Sequence, residues 1–169
     1  MDKFKYLTQL RYQAQAITAL AAGLTDEEIR QKPEPETWSV LEVLTHLVKE
    51  EVGDFRHYLA QVLIKEVEDD PIFNQEQSTR ENLLEQDSPE AILEKFKAER
   101  EKSFAWLSAL SHPDWEATID FEWGSLSAGD LLVSWVAHDL LHLRQLIELR
   151  YFLLSDSSEP YHLDYAGKW

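Results

Sequence analysis

Apolar positions recur at intervals of three and four along most of the chain. That is the period of an amphipathic helix, not the alternation of a half-buried strand. In residues 3–22 the stripe is Phe4, Leu7, Leu10, Ala14, Ile17 and Ala21, and Gly23 is a natural stop. Thr25-Asp26-Glu27-Glu28 reads as a capping box opening a short helical turn, after which Pro33 and Pro35 break the chain. A second box, Ser39-Val40-Leu41-Glu42, opens a long helix predicted to reach about residue 65, with Leu41, Leu44, Val48, Val52, Phe55, Leu59 and Val62 as its stripe. An acidic stretch, residues 66–71, ends it. Residues 72–87 are ambiguous, with one short helix placed around residues 80–86.

Ser88-Pro89-Glu90 combines a cap with proline at the first helical position, a strong start signal. Ile92, Phe96, Ser103, Phe104, Leu107 and Leu110 carry this helix to about residue 111, where His112-Pro113-Asp114 stops it. Residues 115–124 read as irregular or weakly extended; Thr118-Ile119-Asp120-Phe121 alternates but is too short to imply a sheet. Ser127 to Asp130 forms a third box, and the helix it opens is predicted to run to about residue 154. That helix is apolar almost all round, with Leu131, Trp135, Leu146 and Leu149 on one side and Val133, Val136, Leu143 and Ile147 on the other. The pattern implies burial on both sides, by the core and by a subunit interface or another helix. The tail, residues 159–169, is aromatic-rich and non-helical. Four long helices and little else predict an all-α, four-helix-bundle domain spanning residues 1–169, whose long third connection leaves the topology open.

Charge narrows the partners. The chain has 32 Asp plus Glu against 16 Lys plus Arg, a net charge of −16. That disfavours nucleic acid, which requires a basic stripe, and an anionic membrane surface. The N-terminus lacks the apolar core of a secretion signal and no apolar run approaches membrane-span length, so the expectation is a cytoplasmic protein with a small-molecule substrate. There is no cysteine, which removes disulfides, thiolate zinc sites and cysteine nucleophiles.

The chemically informative feature is His138-Asp139-Leu140-Leu141-His142. Histidines four apart lie one turn above each other on one helix face and can converge on a divalent ion. Wheel arithmetic places them beside Leu131, Trp135, Leu146 and Leu149, where a metal would satisfy both imidazoles; hydrogen bonds to neighbours are the structural alternative. The spacing is similar to that of H-E-x-x-H zinc proteases, but Asp139 stands where the glutamate would be and is too short for its role. A third ligand could come from His46, His57, His112, His162 or Glu50. Periodicity alone places His46 opposite the Leu44, Val48, Phe55 stripe, on a solvated face that also carries Gly53.

Two further stretches bear on this choice. Trp38-Ser39-Val40-Leu41-Glu42-Val43-Leu44-Thr45-His46-Leu47 resembles the first signature of the DinB-like (YfiT-like) superfamily, a Trp-Ser helix start with a histidine seven residues after the serine. His138-Asp139-Leu140-Leu141-His142-Leu143-Arg144-Gln145 resembles its second, H-D-x-x-H-x-R-Q, and the closing Tyr165-Ala166-Gly167-Lys168-Trp169 is similar to tails found there. The resemblance covers essentially the whole chain. It implies a four-helix bundle holding a divalent metal through His46, His138 and His142. Imidazole ligands suit zinc, nickel, copper and iron, with zinc or nickel the first choices.

Three neutral ligands leave coordination positions open, the arrangement of a catalytic site. The resemblance implies a metal-dependent enzyme, either a thiol S-transferase using a low-molecular-weight thiol cosubstrate or a hydrolase. The alternatives are a non-catalytic metal-binding stress or interaction protein, and a bundle whose histidines are structural. Around the ligands, Glu50 is a candidate general base, a partner orienting His46, or an ordinary surface glutamate. Asp139, about 100° round the helix from His138, is expected to orient another group. Gln145 is placed to touch an imidazole or substrate, and Arg144 to pair with an acid. Trp38, Trp135 and Trp169 are pocket or core aromatics, and His57, His112 and His162 are expected at the surface. A homodimer is expected from the doubly apolar last helix.

Overall fold

The computed structural model describes residues 1–64 and 88–168. The short helix expected around residues 80–86, and Trp169, lie outside them. The described chain is mostly helical, with one small hairpin. Helix α1 spans Lys3–Ala21, α2 Val40–Glu50, α3 Arg56–Leu63, α4 Pro89–Ala109 and α5 Ala128–Ser157. Single 3-10 turns occupy Glu28–Arg30 and Asp164–Ala166. Among the described residues no helix is long and apolar enough to cross a membrane.

The caps read from the sequence set these boundaries. Ser39 Oγ accepts from Glu42 N at 3.3 Å while Glu42 Oε2 accepts from Ser39 N at 2.8 Å. Ser127 and Asp130 make the same reciprocal pair at α5, with both bonds at 3.0 Å. Each box satisfies two backbone donors that a helix start otherwise leaves unpaired. Ser88 caps α4 through Ala91 N at 3.2 Å, with Pro89 at its first position. After α1 the chain reverses through Gly23 at φ 73°, a left-handed conformation that glycine adopts without a Cβ clash.

Three expectations change. The second long helix is not continuous α-helix: Glu51–Phe55 is a π turn joining α2 to α3. The stretch after α4 is a hairpin, Thr118–Phe121 (β1) against Gly124–Ser127 (β2), with Thr118 opposite Ser127 and Phe121 opposite Gly124. Only β1 alternates in sequence; β2 carries the single apolar Leu126, which packs with Ile119 against the core, so the pairing is set by tertiary contact. On α5, Val136 is buried with the core residues, whereas Val133, Leu140, Leu141, Ile147 and Leu154 are exposed.

The core is two apolar clusters. One gathers Leu7, Leu10, Phe55, Leu59, Leu107, Leu131, Leu132 and Trp135. The other gathers Ile17, Val43, Leu44, Leu47, Val48, Ile92, Phe96, Leu146 and Leu149. Between them every long helix contributes a buried polar residue: Gln13 from α1, Glu51 from the π turn, Glu99, Arg100 and Ser103 from α4, and Asp139 from α5. Arg100 is the hub of this stratum. Its Nε donates to Glu51 at 2.9 and 3.1 Å, its Nη1 and Nη2 to Asp139 at 2.6 and 3.1 Å, and its Nη1 also to Leu10 O at 3.2 Å. Arg56 pairs alongside with Glu99 and Ser103. Charges buried in this way persist only when paired and hydrogen-bonded.

Candidate metal centre

The polar stratum lies at the level where α2 and α5 present their histidines. His138 precedes the buried Asp139, and His142 follows one turn later. His46 comes from α2, one turn before the π segment. His46 Nε2 is 3.2 Å from His138 Nε2, and His142 Nε2 is 3.1 Å from the same atom. Among the described residues these three form the cluster of donors within reach of one ion. The structure therefore brings together the pair read from α5 and the residue that periodicity had placed in solvent.

The wheel misplaced His46 for an identifiable reason. The buried residues of α2 and the π turn are Val40, Val43, Leu44, Leu47, Val48, Glu51, Val52 and Phe55. The predicted stripe ran through Leu41, Leu44, Val48, Val52 and Phe55 and left out Val40, Val43 and Leu47, which are buried too, so it is centred too far round. Corrected for them, His46 stands at the border of the buried face beside Val43, and it is half-buried.

The orientation of the rings follows from what holds their other nitrogens. Gln145 Oε1 lies 2.9 Å from His142 Nδ1. An amide oxygen accepts, so Nδ1 of His142 carries the proton and Nε2 keeps its lone pair. Glu50 Oε1 lies 3.7 Å from His46 Nδ1 and favours the same tautomer there. Both lone pairs then face His138 Nε2. A proton on that atom could serve only one of them, whereas a cation would serve all three.

The spacing also fits an ion. With metal–nitrogen bonds of about 2.0–2.1 Å, ligands at tetrahedral or right-angled positions stand roughly 2.9–3.4 Å apart. The observed 3.1 and 3.2 Å lie inside that interval.

Electrostatics favour the neutral form of His138 and His46, the form that binds metal. Burial first, then His142, His46 and Arg100, holds the His138 pKa down at about 4. Burial, His142 and Lys49 lower that of His46. Burial and Asp54 raise the Glu50 carboxyl above the usual carboxylate range.

The aromatic surroundings divide. Trp38 stands over the site at its outer edge, 4.9 Å from the His46 ring and parallel to His142 at 6.2 Å. Trp135 is buried beneath it, stacked on Phe55 at 5.5 Å, and Phe55 in turn lies 5.2 Å from the His138 ring. Asp139 pairs with the Arg100 guanidinium at 2.6 Å. Arg144 pairs with Glu148 at 3.6 Å on the exposed face. His112 and His162 are exposed, His112 at φ 52° in the turn after α4, while His57 is half-buried against Tyr58 at 5.2 Å.

Sequence reasoning missed Arg100, Glu51, Arg56 and Glu99. Their one signal is a charged residue where an apolar stripe skips a turn, as between Phe96 and Ser103.

A family model described as the DinB superfamily matches residues 9–146, most of the chain and all three histidines. No curated protein matches. Two signatures on separate helices meet in space as one histidine cluster, and with that family match the chain belongs to the DinB superfamily.

Proposed function

We propose that this protein is a divalent-metal-dependent enzyme whose ion, zinc or nickel, is held by His46, His138 and His142. In this reading it transfers a low-molecular-weight thiol to a small molecule, or hydrolyses one. The observation that carries the reading is the meeting of three Nε2 atoms at 3.1 and 3.2 Å, with Gln145 and Glu50 against the outer nitrogens of His142 and His46. A bound divalent ion would supply Lewis acidity toward a thiol, a water or a substrate oxygen.

The chain's own residues would do the rest. His46 and His138 are held toward the neutral form, Gln145 fixes His142, and Glu50 steadies His46. Because Glu50 faces Nδ1, on the far side of the ring from the cluster, its position supports this orienting role over that of general base. Trp38 limits water on the outer side, and Asp139 with Arg100 anchors the helix turn that carries His138.

The same reading takes the helices as a four-helix bundle of the DinB/YfiT type in one domain. It takes the exposed apolar row Val133, Leu140, Leu141, Ile147 and Leu154 as the contact of a homodimer, which light scattering would test.

Metal-loaded protein should consume bacillithiol, mycothiol or glutathione in the presence of an electrophile, or cleave a small ester or amide. His138→Ala should abolish that turnover. A metal-binding protein silent toward all of them would instead be a binding module without catalysis.

A further inference from the structure

Beside the histidine cluster lies a cavity of about 440 Å³, lined by Arg30, Trp38, Leu41, Glu42, Thr45, His46 and Lys49. Its volume falls in the range of small-molecule sites. His46 and Trp38 belong both to this cavity and to the cluster, so a ligand reaching the three histidines from here would lie along its wall.

The charge of that wall departs from the rest of the molecule. The chain carries twice as many acids as bases, yet this cavity presents two cations and one acid. The acid is committed elsewhere: Glu42 Oε1 accepts from Lys32 at 2.7 Å, and Oε2 accepts from Ser39 N. Arg30 has only a loose contact with Asp26 at 3.9 Å, both side chains being half or more exposed, and such a pair is worth little. Lys49, from the last turn of α2, lines the same wall as His46. Thr45 donates its hydroxyl to Leu41 O at 2.9 Å, leaving its oxygen as an acceptor. The charged donors left for a ligand are therefore Arg30 and Lys49, and the apolar surface is the Trp38 ring and Leu41.

Resting on the metal-site reading above, we infer that the substrate or cosubstrate is an anion, bearing a carboxylate or phosphate held by Arg30 and Lys49. Its reactive atom is directed to the three histidines and its carbon skeleton lies on Trp38 and Leu41. Arg30 and Lys49 are specificity residues for that anionic group.

The test uses cobalt(II)-loaded full-length protein and three thiols of similar length: 3-mercaptopropionate, 2-mercaptoethanol and cysteamine. The cobalt–thiolate absorption band reports binding without turnover. Mercaptopropionate should bind about tenfold or more tighter than cysteamine, with mercaptoethanol between, and added salt should narrow the gap. In an Arg30→Gln/Lys49→Gln variant, confirmed folded by circular dichroism, the preference should shrink to within about twofold of that set by thiol acidity alone. Comparing ratios between wild type and variant cancels that intrinsic difference. Equal ratios in the two proteins would overturn the anion assignment while the cobalt spectrum left the metal site standing. Absence of any cobalt spectrum would overturn both.

Discussion

Arg100 grips the Asp139 carboxylate through two hydrogen bonds, of 2.6 and 3.1 Å, one residue beyond His138. The same guanidinium holds Glu51 of the π turn, five residues after His46. One buried cation thus ties together the segments of the two helices, α2 and α5, that deliver the histidines. The cluster carries two carboxylates on one guanidinium, and burial drives the Glu51 carboxyl upward against the pull of Arg100.

Removing that cation leaves two buried carboxylates without a counter-charge. Arg100→Met should cost about 3–5 kcal/mol in urea denaturation. Replacing all three members, Glu51→Leu, Arg100→Met and Asp139→Leu, should recover most of it, because an apolar layer has no unpaired charge. A loss below about 1 kcal/mol for the single variant would mean that the hub is not structural.

In the proposed metal site Gln145 would act through its contact with His142. Gln145→Ala should leave the fold intact and lower metal affinity by about 10–100-fold, the usual cost of losing a hydrogen bond behind a histidine ligand. Competition with a chromophoric chelator measures this. Unchanged affinity would show that the 2.9 Å contact does not set the tautomer.

Acid should act on the metal-free protein in a defined window. His138 stays neutral in the folded chain until about pH 4, whereas an unfolded histidine takes its proton near about 6.5. Between these values the unfolded state binds the extra proton, so stability falls as pH falls from about 6.5 toward 4 and the loss is complete below the folded value. His46, shifted in the same direction, adds to it. Melting temperature followed across this range should decline more steeply for wild type than for His138→Ala; identical slopes would refute the assignment. The same depression means that protons compete less for His46 and His138 than for a free imidazole when those nitrogens are wanted by an ion.

Ser39 carries the start of α2, directly after Trp38. Ser39→Ala should lose about 1 kcal/mol of stability in denaturant, with the loss arising from the unpaired Glu42 amide. Ser39→Thr should retain most of the cap. Equal stability of all three proteins would show that the capping box contributes nothing.

The sequence and the structure agree where the signal is local. The boxes at Ser39 and Ser127, the Ser88-Pro89 start and the stop before Gly23 each depend on residues within a few positions, and each forms as read. The His138/His142 pair was legible because a helix period alone puts both rings on one face. What could not be read is what depends on partners distant in the chain. Glu51 and Arg100 look like solvated residues until the π turn and α4 pack and pair them, and His46 resembled a surface histidine because the full width of the buried face of α2, out to Val43 and Leu47, shows only once its neighbours are in place. Only the family signature pointed to it. The hairpin escaped notice for a similar reason, since Gly124-Ser125-Leu126-Ser127 becomes a strand by pairing and not by its own pattern.

The most direct test of the account is metal content. Protein purified without an affinity tag, reconstituted with zinc or nickel and freed of excess ion, should hold close to one equivalent by elemental analysis, and His46→Ala, His138→Ala and His142→Ala should each hold far less. Wild-type protein that retains no divalent ion, with a melting temperature indifferent to EDTA, would contradict the site.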